Sequence, residues 1–254
     1  MTTALITGAT AGIGAAFARR FAAARYDLVL VARDTARLDQ AAANLSDRYG
    51  VPVEVLSADL GDPAACKQVE ARLADREEPV DVLVNSAGFG THERFLDASV
   101  DDEEAMIDVM VRAVMRLTHA GGRAMLERGR GAIINVSSVA GYVPHGTYSA
   151  AKAWVTSFTE SLAGELSGTG VKVVAVCPGL THTEFHQRAE IDTTGIPEWM
   201  WLEADQIVEA ALRDLRRGQV VSVPSPQYKA LTAMARHAPR RLVRSVGQEI
   251  SRRR

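Results

Sequence analysis

Short apolar runs alternate with longer helical segments along almost the whole chain, and this alternation constrains the fold more than any other feature. The runs are rich in Val, Ile and Leu and predict seven strands, at residues 3–7, 27–32, 51–57, 80–85, 131–137, 171–177 and 219–223. Strands separated by helices predict a parallel sheet, and nearly continuous apolar strands indicate helices on both faces. Because such crossovers are right-handed, we expect an α/β fold with a doubly wound parallel sheet.

The composition fits a single domain over residues 1–254, since 47% of the residues are hydrophobic and 24% are charged. A net charge of −2 gives no reason to expect nucleic-acid binding. No apolar run is long enough to cross a bilayer and the first residues show no signal-peptide pattern, so we expect a cytoplasmic protein. Cys66 and Cys177 form no C-x-x-C pair and the histidines form no H-E-x-x-H pattern, so no metal site is expected.

A glycine-rich turn, TGATAGIG, lies between the first predicted strand and the following helix. Gly8 permits a tight turn, while Gly12 and Gly14 let the backbone and the helix approach closely. The N-terminus of that helix offers free N–H groups and the positive end of its dipole, which suit a diphosphate. We therefore predict a dinucleotide site here, with a plain turn as the alternative.

The end of the second predicted strand indicates which dinucleotide this is. Folds that bind NAD usually place an acidic residue there to hold the ribose 2′-hydroxyl group, whereas a nearby Arg accommodates the 2′-phosphate of NADP. Here Ala32 ends the strand, Arg33 follows at once, and Asp34 lies one position further. A guanidinium group suits a phosphate, so we predict NADP(H) rather than NAD(H); an ordinary surface arginine is the alternative.

Tyr148 and Lys152 are four residues apart and would share one face of a helix. A tyrosine hydroxyl has a pKa near ~10, and a neighbouring ammonium group favours the phenolate and lowers that pKa. The pair is therefore a candidate proton donor, although a tyrosine and an unrelated surface lysine would show the same spacing.

The chain resembles the short-chain dehydrogenase/reductase family, and its ketoreductase-like members above all, in five motifs that occur in order. These are the glycine turn, NSAG (85–88), SSVAG (137–141), YSAAK (148–152) and PGLTHTEF (178–185). The resemblance covers residues 3 to about 225. It implies a single-domain Rossmann-type fold and an NADP(H)-dependent oxidoreductase that interconverts a carbonyl and an alcohol.

The resemblance also implies a role for each matched residue. Tyr148 would be the general acid in reduction and the general base in oxidation, Lys152 would lower its pKa and bind the nicotinamide ribose, and Ser138 would hydrogen-bond the substrate oxygen, while Ser137 would be structural. Within the cofactor site, Asp59 and Leu60 would flank the adenine, and Pro178, Gly179 and Thr183 would hold the carboxamide end. The whole set expected to bind the cofactor is Gly8, Thr10, Gly12, Ile13, Gly14, Arg33, Asp59, Leu60, Asn85, Ala87, Gly88, Tyr148, Lys152, Pro178, Gly179 and Thr183.

The chain departs from the family pattern at two places. Ser138 and Tyr148 are only ten residues apart, so the loop between them must be tight. Met110, in DVMVRA, stands where family members often carry an asparagine thought to support a water chain to the lysine. A thioether is only a weak acceptor, so we expect a weakened relay or a water held by backbone groups. Met110 also favours the alternative to an enzyme, a non-catalytic NADP-binding sensor or partner subunit.

The segment after PG, residues 180–203, is where the family's substrate specificity lies. Its large apolar side chains, with two from the loop after NSAG, predict either an apolar lid or ordinary core: Phe89, Phe95, Phe185, Trp199, Met200 and Trp201. A lid of this kind suits a hydrophobic small-molecule carbonyl or alcohol, such as a ketoacyl, steroid-like or aryl ketone.

Two further expectations concern partners. The family commonly pairs two long helices, here predicted at about 101–128 and 147–167, so we expect a homodimer or homotetramer, although both helices must also pack on the sheet. The extension 227–254 carries eight basic residues and one acidic residue, with apolar spacing that suits an amphipathic helix. It predicts weak contact with an anionic membrane surface; the alternatives are a solvated tail or a segment packed on a subunit partner.

Overall fold

A computed structural model describes residues 2–91, 93–189 and 193–252, with side chains omitted at 246 and 248–252. Within these ranges no helix combines the length and the apolar character needed to cross a bilayer. In the same ranges, His, Cys, Asp and Glu side chains do not gather in groups of three or more that would hold a metal ion. Cys66 and Cys177 are both buried and free.

One parallel sheet of seven strands lies at the centre of the described chain, in the order β3-β2-β1-β4-β5-β6-β7. The strands are β1 Thr3–Thr7, β2 Asp27–Ala32, β3 Val53–Ser57, β4 Val82–Asn85, β5 Gly131–Val136, β6 Val171–Val176 and β7 Val221–Ser222. The predicted doubly wound α/β sheet is therefore confirmed. β3, β4 and β7 each begin two residues later than the apolar runs predicted.

Helices cover both faces of this sheet. They are α1 Gly12–Ala23, α2 Thr35–Tyr49, α3 Pro63–Leu73, α4 Val100–Ile107, α5 Val114–Arg128, α6 Gly146–Glu165, α7 Glu184–Arg188, α8 Ala204–Arg216, α9 Pro226–His237 and α10 Arg240–Arg252. The helix predicted at 101–128 is divided, because a π-helical segment, Asp108–Ala113, joins α4 to α5. Short 3₁₀ turns occur at Val139–Tyr142 and Glu198–Met200.

Neighbouring strand residues contribute to two separate cores, as the pleat of a strand requires. In β1, Ile6 packs with side chains of α1, α2 and α8, whereas Leu5 packs with those of α3 and α5 on the other face. Because both faces are buried, the strands read as continuous apolar runs, and the carboxyl ends of all seven strands meet at one edge. That edge is where α/β sheets of this kind bind ligands.

The basic extension packs on its own chain, which the sequence interpretation did not foresee. Ser225 caps α9, and the side chain of Tyr228 is buried. The Arg236 guanidinium group lies 5.0 Å from the centre of the Tyr142 ring and donates a hydrogen bond to the Tyr142 hydroxyl at 3.2 Å. In α10, Gly247 approaches the carbonyl group of Pro144. The predicted segment ends with Arg253 and Arg254, which lie outside the described residues.

Candidate active site

The glycine turn forms a closely packed cradle at the carboxyl end of β1. Gly8 has a φ of +66°, and a Cβ there would lie 2.9 Å from the Cα of Ala87. A Cβ at Gly14 would overlap the Gly8 carbonyl oxygen. Any side chain at these two positions would therefore collide with neighbouring backbone, which agrees with the tight turn and the close approach that the sequence predicted.

The first turn of α1 is open to an anion. Its N-cap residue, Ala11, provides no side-chain hydrogen bond, so the N–H groups that begin the helix have no side-chain cap. Thr183 borders the same place, since a Cβ on Gly12 would lie 3.0 Å from the Thr183 Cγ2 atom. This arrangement fits a diphosphate by its backbone donors and by the helix dipole. The predicted residues Thr10 and Ile13 lie within this turn, and the Thr10 carbonyl group accepts a hydrogen bond from Arg37.

The predicted adenine end lies beyond β2 and β3. The Arg33 guanidinium group lies 3.9 Å from the Asp59 carboxylate, and both side chains are largely exposed. Arg33 is thus available to a phosphate, while Leu60 is buried in the core and contributes packing rather than polar contacts. Arg37, which the sequence interpretation missed, pairs with Glu184 and so joins α2 to α7 beside the glycine turn.

Asn85 ends β4, where the sequence predicted it to lie beside the cofactor, but its side chain makes contacts in the interior. Its side chain is buried, and its amide group donates to Thr118 at 3.1 Å and to Asn135 at 2.8 Å. Asn135 in turn donates to Thr159 at 3.0 Å. The side chain of Asn85 therefore ties β4 to β5 and α5, and only its backbone remains at the strand end. The position of Asn85 at the end of a strand does not by itself tell whether its side chain faces the cofactor or the protein interior.

Three predicted catalytic side chains come together where β5 and α6 meet. Ser138 lies two residues beyond the end of β5 and near enough to the Tyr148 hydroxyl to act on its pKa. The Lys152 ammonium nitrogen lies 5.7 Å from the centre of the Tyr148 ring and donates to the Val136 carbonyl group at 2.9 Å. The neighbouring Ser137 is buried and donates to the Lys152 carbonyl group at 2.7 Å, in keeping with its predicted structural role.

The pKa of Tyr148 is shifted in the direction opposite to the one the sequence predicted. Burial raises the Tyr148 pKa to about 12, and the neighbouring Ser138 hydroxyl opposes this rise only in part. Burial also lowers the pKa of Lys152 to about 8. The expected lowering by Lys152 is therefore overturned in the protein without ligand, because both groups lose hydration and Lys152 is itself driven towards its neutral form.

The short connection between Ser138 and Tyr148 is held tightly against α6. The 3₁₀ turn after Ser138 presents Gly141 to the helix, and a Cβ there would lie 2.8 Å from the Ala153 backbone nitrogen. The Ser138 hydroxyl oxygen accepts a hydrogen bond from the Ala140 N–H group at 3.1 Å, which fixes its direction. The predicted tight loop is confirmed, with Arg236 and Gly247 of the extension packed on its outer side.

Met110 fills the interior beside Lys152, the predicted catalytic lysine. Its side chain is buried in the π-helical segment and packs in a small cluster with Met106, Phe89 and Tyr148. A Cβ on Gly88 would lie 3.1 Å from the Met110 sulfur and 3.8 Å from the Lys152 nitrogen, so these three residues adjoin. The predicted cofactor residue Gly88 is thus brought beside Lys152, and Met110 places an apolar surface there. Ala87 lies against Gly8 of the glycine turn.

Tyr228 supports the PG turn and was not recognised from the sequence. Its ring occupies the space beside Gly179, where a Cβ would overlap it. The Tyr228 hydroxyl accepts from the Leu180 N–H group at 3.0 Å and donates to the Met200 carbonyl group at 2.9 Å. Pro178 is held by the 3₁₀ turn that begins at Val139, because its carbonyl group accepts from the Val139 N–H group at 3.0 Å. The only sequence signal was the Ser-Pro start of α9, which indicates a helix but not its contacts.

The aromatic segment after the PG turn divides between a lid and internal packing. The Phe185 ring lies 5.5 Å from the Tyr148 ring, so Phe185 borders this predicted catalytic residue. Trp201 instead stacks on His182 at 4.8 Å, and the side chain of Trp199 is 64% exposed. Residues 190–192 of the predicted lid lie outside the described residues. A cavity of about 180 Å³ opens beside Tyr148, lined by Thr91, Glu93, Arg94, Phe95, Glu103, His145, Gly146, Thr147 and Tyr148.

Comparison with known proteins identifies relatives of this chain. The model of the short chain dehydrogenase family matches residues 2–193. Sulfoacetaldehyde reductase 2 from Chromohalobacter salexigens is 41% identical over 186 residues, which cover 71% of this chain and 73% of that protein. The NADP-dependent 3-hydroxy acid dehydrogenase YdfG from Salmonella typhi is 39% identical, with the same two coverages.

A solved structure extends the likeness over nearly the full length. The short-chain dehydrogenase from Sphingobium yanoikuyae in complex with NADPH is 40% identical, with a TM-score of 0.85 and coverage of 93% of this chain and 94% of that one. With the family match and the five motifs on one sheet edge, the chain belongs to the short-chain dehydrogenase/reductase family of oxidoreductases.

Proposed function

We propose that this oxidoreductase uses NADP(H) to interconvert a carbonyl and an alcohol on a small molecule with a hydrophobic body, with Tyr148 as the general acid and base. The observation that carries the proposal is the convergence of Ser138, Tyr148 and Lys152 beside the glycine cradle. A proton donor, a hydrogen-bond donor for the substrate oxygen and a cation therefore lie close together.

In reduction, the Tyr148 hydroxyl delivers a proton to the substrate oxygen. Negative charge develops on that oxygen, and the Ser138 hydroxyl, oriented by Ala140, stabilises it with a hydrogen bond. The raised pKa of Tyr148 keeps its proton in place until substrate and cofactor are assembled. Lys152, which lies against the Tyr148 ring, contributes its charge when protonated and holds the end of β5 through Val136.

The residues present fit an NADP dinucleotide. The uncapped first turn of α1 and the glycine cradle would hold the diphosphate, and the exposed Arg33 would hold the 2′-phosphate. When bound, the nicotinamide supplies or accepts the hydride. Two relatives support the choice of cofactor, one named as NADP-dependent and one solved with NADPH.

The substrate body would pack on the aromatic rings around Tyr148. Phe185 lies against the Tyr148 ring, and Phe95 lines the adjoining cavity with a side chain that is 57% exposed. Exposed aromatic surface at a reaction centre favours a hydrophobic ketone over a small polar aldehyde. Aryl and ketoacyl carbonyls meet this requirement.

The test is NADPH oxidation by the purified protein over a panel of aryl ketones, aldehydes and β-ketoacyl thioesters. Tyr148→Phe should lower kcat/KM by about 10²- to 10⁴-fold, the usual contribution of a general acid. Tyr49→Phe, which alters a half-buried tyrosine on α2, is the matched control and should retain activity. Tight NADPH binding without turnover of any panel member would contradict the proposed activity and favour a non-catalytic NADP-binding role.

We further propose a homodimer or homotetramer that forms through α5 and α6 in the cytoplasm. Apolar side chains on these helices support it: Trp154 stacks on Phe158 in α6, and Met115 of α5 is 45% exposed. Sedimentation at micromolar concentration should give a mass of two or four chains, and a single-chain mass would contradict the assembly.

A weak contact between the extension and an anionic membrane is a separate proposal. Leu242 and Met234 are exposed beside the arginines of α9 and α10. Deletion of residues 240–254 should reduce flotation with phosphatidylserine vesicles at low salt, and unchanged flotation would contradict the contact.

A further inference from the structure

The cavity beside Tyr148 contains a buried carboxylate that the proposed chemistry does not use. Glu103 and Tyr148 both line this cavity of about 180 Å³. Glu103 lies in the first turn of α4, and its residue surface is only 5% exposed. Charged side chains are almost never buried to this extent without a partner.

The two oxygens of the Glu103 carboxylate differ in their contacts. Oε1 accepts a hydrogen bond from the Thr91 hydroxyl at 3.2 Å. Oε2 is buried and has no hydrogen-bond partner among the described residues. A buried polar atom without a partner is uncommon and requires an explanation, such as a group that arrives with a ligand.

The charge around Glu103 favours a donor as that group. The start of α4 stabilises the negative charge through its dipole. Arg94, which lines the cavity, is already paired with Asp97 at 2.9 Å. Glu93 adds a second acidic side chain to the same lining. Anionic substrate groups are thus disfavoured at this end of the cavity, and hydroxyl or ammonium groups are favoured.

We propose that Glu103 is a specificity-determining residue that accepts a hydrogen bond from a hydroxyl or ammonium group of the substrate, at the end remote from the reacting carbonyl. The inference rests on the proposed function, because it takes Tyr148 as the point where the carbonyl lies. It narrows the substrate to a hydrophobic carbonyl compound that also carries a hydrogen-bond donor.

The test uses three acetophenones that differ only in the para substituent: aminomethyl, hydroxymethyl and ethyl. Calorimetry measures their binding to the NADP⁺-loaded protein, in which no reduction occurs, and NADPH oxidation measures turnover separately. The aminomethyl and hydroxymethyl ketones should bind about 10-fold to 100-fold more tightly than the ethyl ketone, as a charged hydrogen bond predicts. Glu103→Gln should remove most of the preference for the aminomethyl ketone and leave binding of the ethyl ketone unchanged.

Glu104→Gln, at the exposed next position of α4, removes the same charge outside the cavity and should keep the preference. Equal binding of the three ketones by the unaltered protein, or no binding of any of them, would overturn the inference. An equal loss for all three in Glu103→Gln would also overturn it, since this would show a structural role with Thr91. If the two ketones with a hydrogen-bond donor bind more tightly but none of the three is reduced, the Glu103 inference stands and the proposed reduction is contradicted.

Discussion

The Tyr228 ring occupies the place where a side chain at Gly179 would stand. Through this contact, a residue of the C-terminal extension supports the turn that lies against Ser138 and Val139. The Tyr228 hydroxyl bridges Leu180 and Met200, so the ring also joins the start and the end of the substrate segment.

Gly179→Ala should therefore destabilise the protein by about 1–3 kcal/mol, as overpacking in a close-packed interior usually does. Denaturant unfolding monitored by circular dichroism gives the free energy of unfolding. Gly164→Ala, at a helical position with open space around its Cβ, is the control and should be neutral or stabilising. An equal effect of both substitutions would contradict the role assigned to the Tyr228 contact.

Lys152 should make stability depend on pH. Its pKa is lowered from 10.5 to about 8 by burial, so between these values the unfolded chain binds more protons than the folded one. The free energy of unfolding should therefore rise with pH through this window, by on the order of 2 kcal/mol between pH 8 and 10. Below about pH 8, Lys152 is protonated in both the folded and the unfolded chain, so its contribution to the free energy of unfolding no longer changes with pH.

The measurement is the difference in free energy of unfolding between the unaltered protein and Lys152→Met over this range. Tyr148 is present in both proteins. Its raised pKa should lower the free energy of unfolding only between pH 10 and about 12, which is above the range compared. Lys172→Met on β6 controls for loss of a positive charge from an exposed site. If the difference in free energy of unfolding does not change from pH 8 to 10, burial does not lower the pKa of Lys152.

Arg33→Ala should weaken NADPH binding selectively. Loss of a charged hydrogen bond to the 2′-phosphate predicts an increase in Kd of about 10-fold to 100-fold for NADPH, with little change for NADH. Fluorescence titration of both dinucleotides measures this, with Arg48→Ala at the far end of α2 as the control. An equal loss of affinity for NADPH and NADH would show that Arg33 attracts both dinucleotides by its charge and does not bind the 2′-phosphate specifically.

Met110→Asn should lower the free energy of unfolding by about 1–3 kcal/mol, because it buries an amide group in an apolar cluster. Met110→Leu keeps the volume and should change it by less than about 1.5 kcal/mol. Thermal unfolding of both variants provides the comparison. Full stability in Met110→Asn would show that the π-helical segment already offers the amide a partner, and a proton relay through that site would then be expected to raise kcat.

The succession of strands and helices along the chain was predictable from the sequence, because burial of both sheet faces requires continuous apolar strands. The doubly wound sheet was predictable because right-handed crossovers leave few topologies. The glycine cradle was predictable for a similar reason. Gly8 adopts a positive φ and Gly14 meets the Gly8 carbonyl group, and both requirements leave a local sequence signature.

Features that depend on what surrounds a side chain were decided only by the tertiary structure. Asn85 forms hydrogen bonds to α5 and β5, and burial raises the Tyr148 pKa although a lysine lies four residues away. Contacts with the extension and with Glu103 join residues far apart in the chain. Local periodicity records which face of an element is apolar, whereas hydration and hydrogen-bond partners depend on distant segments that only folding brings together.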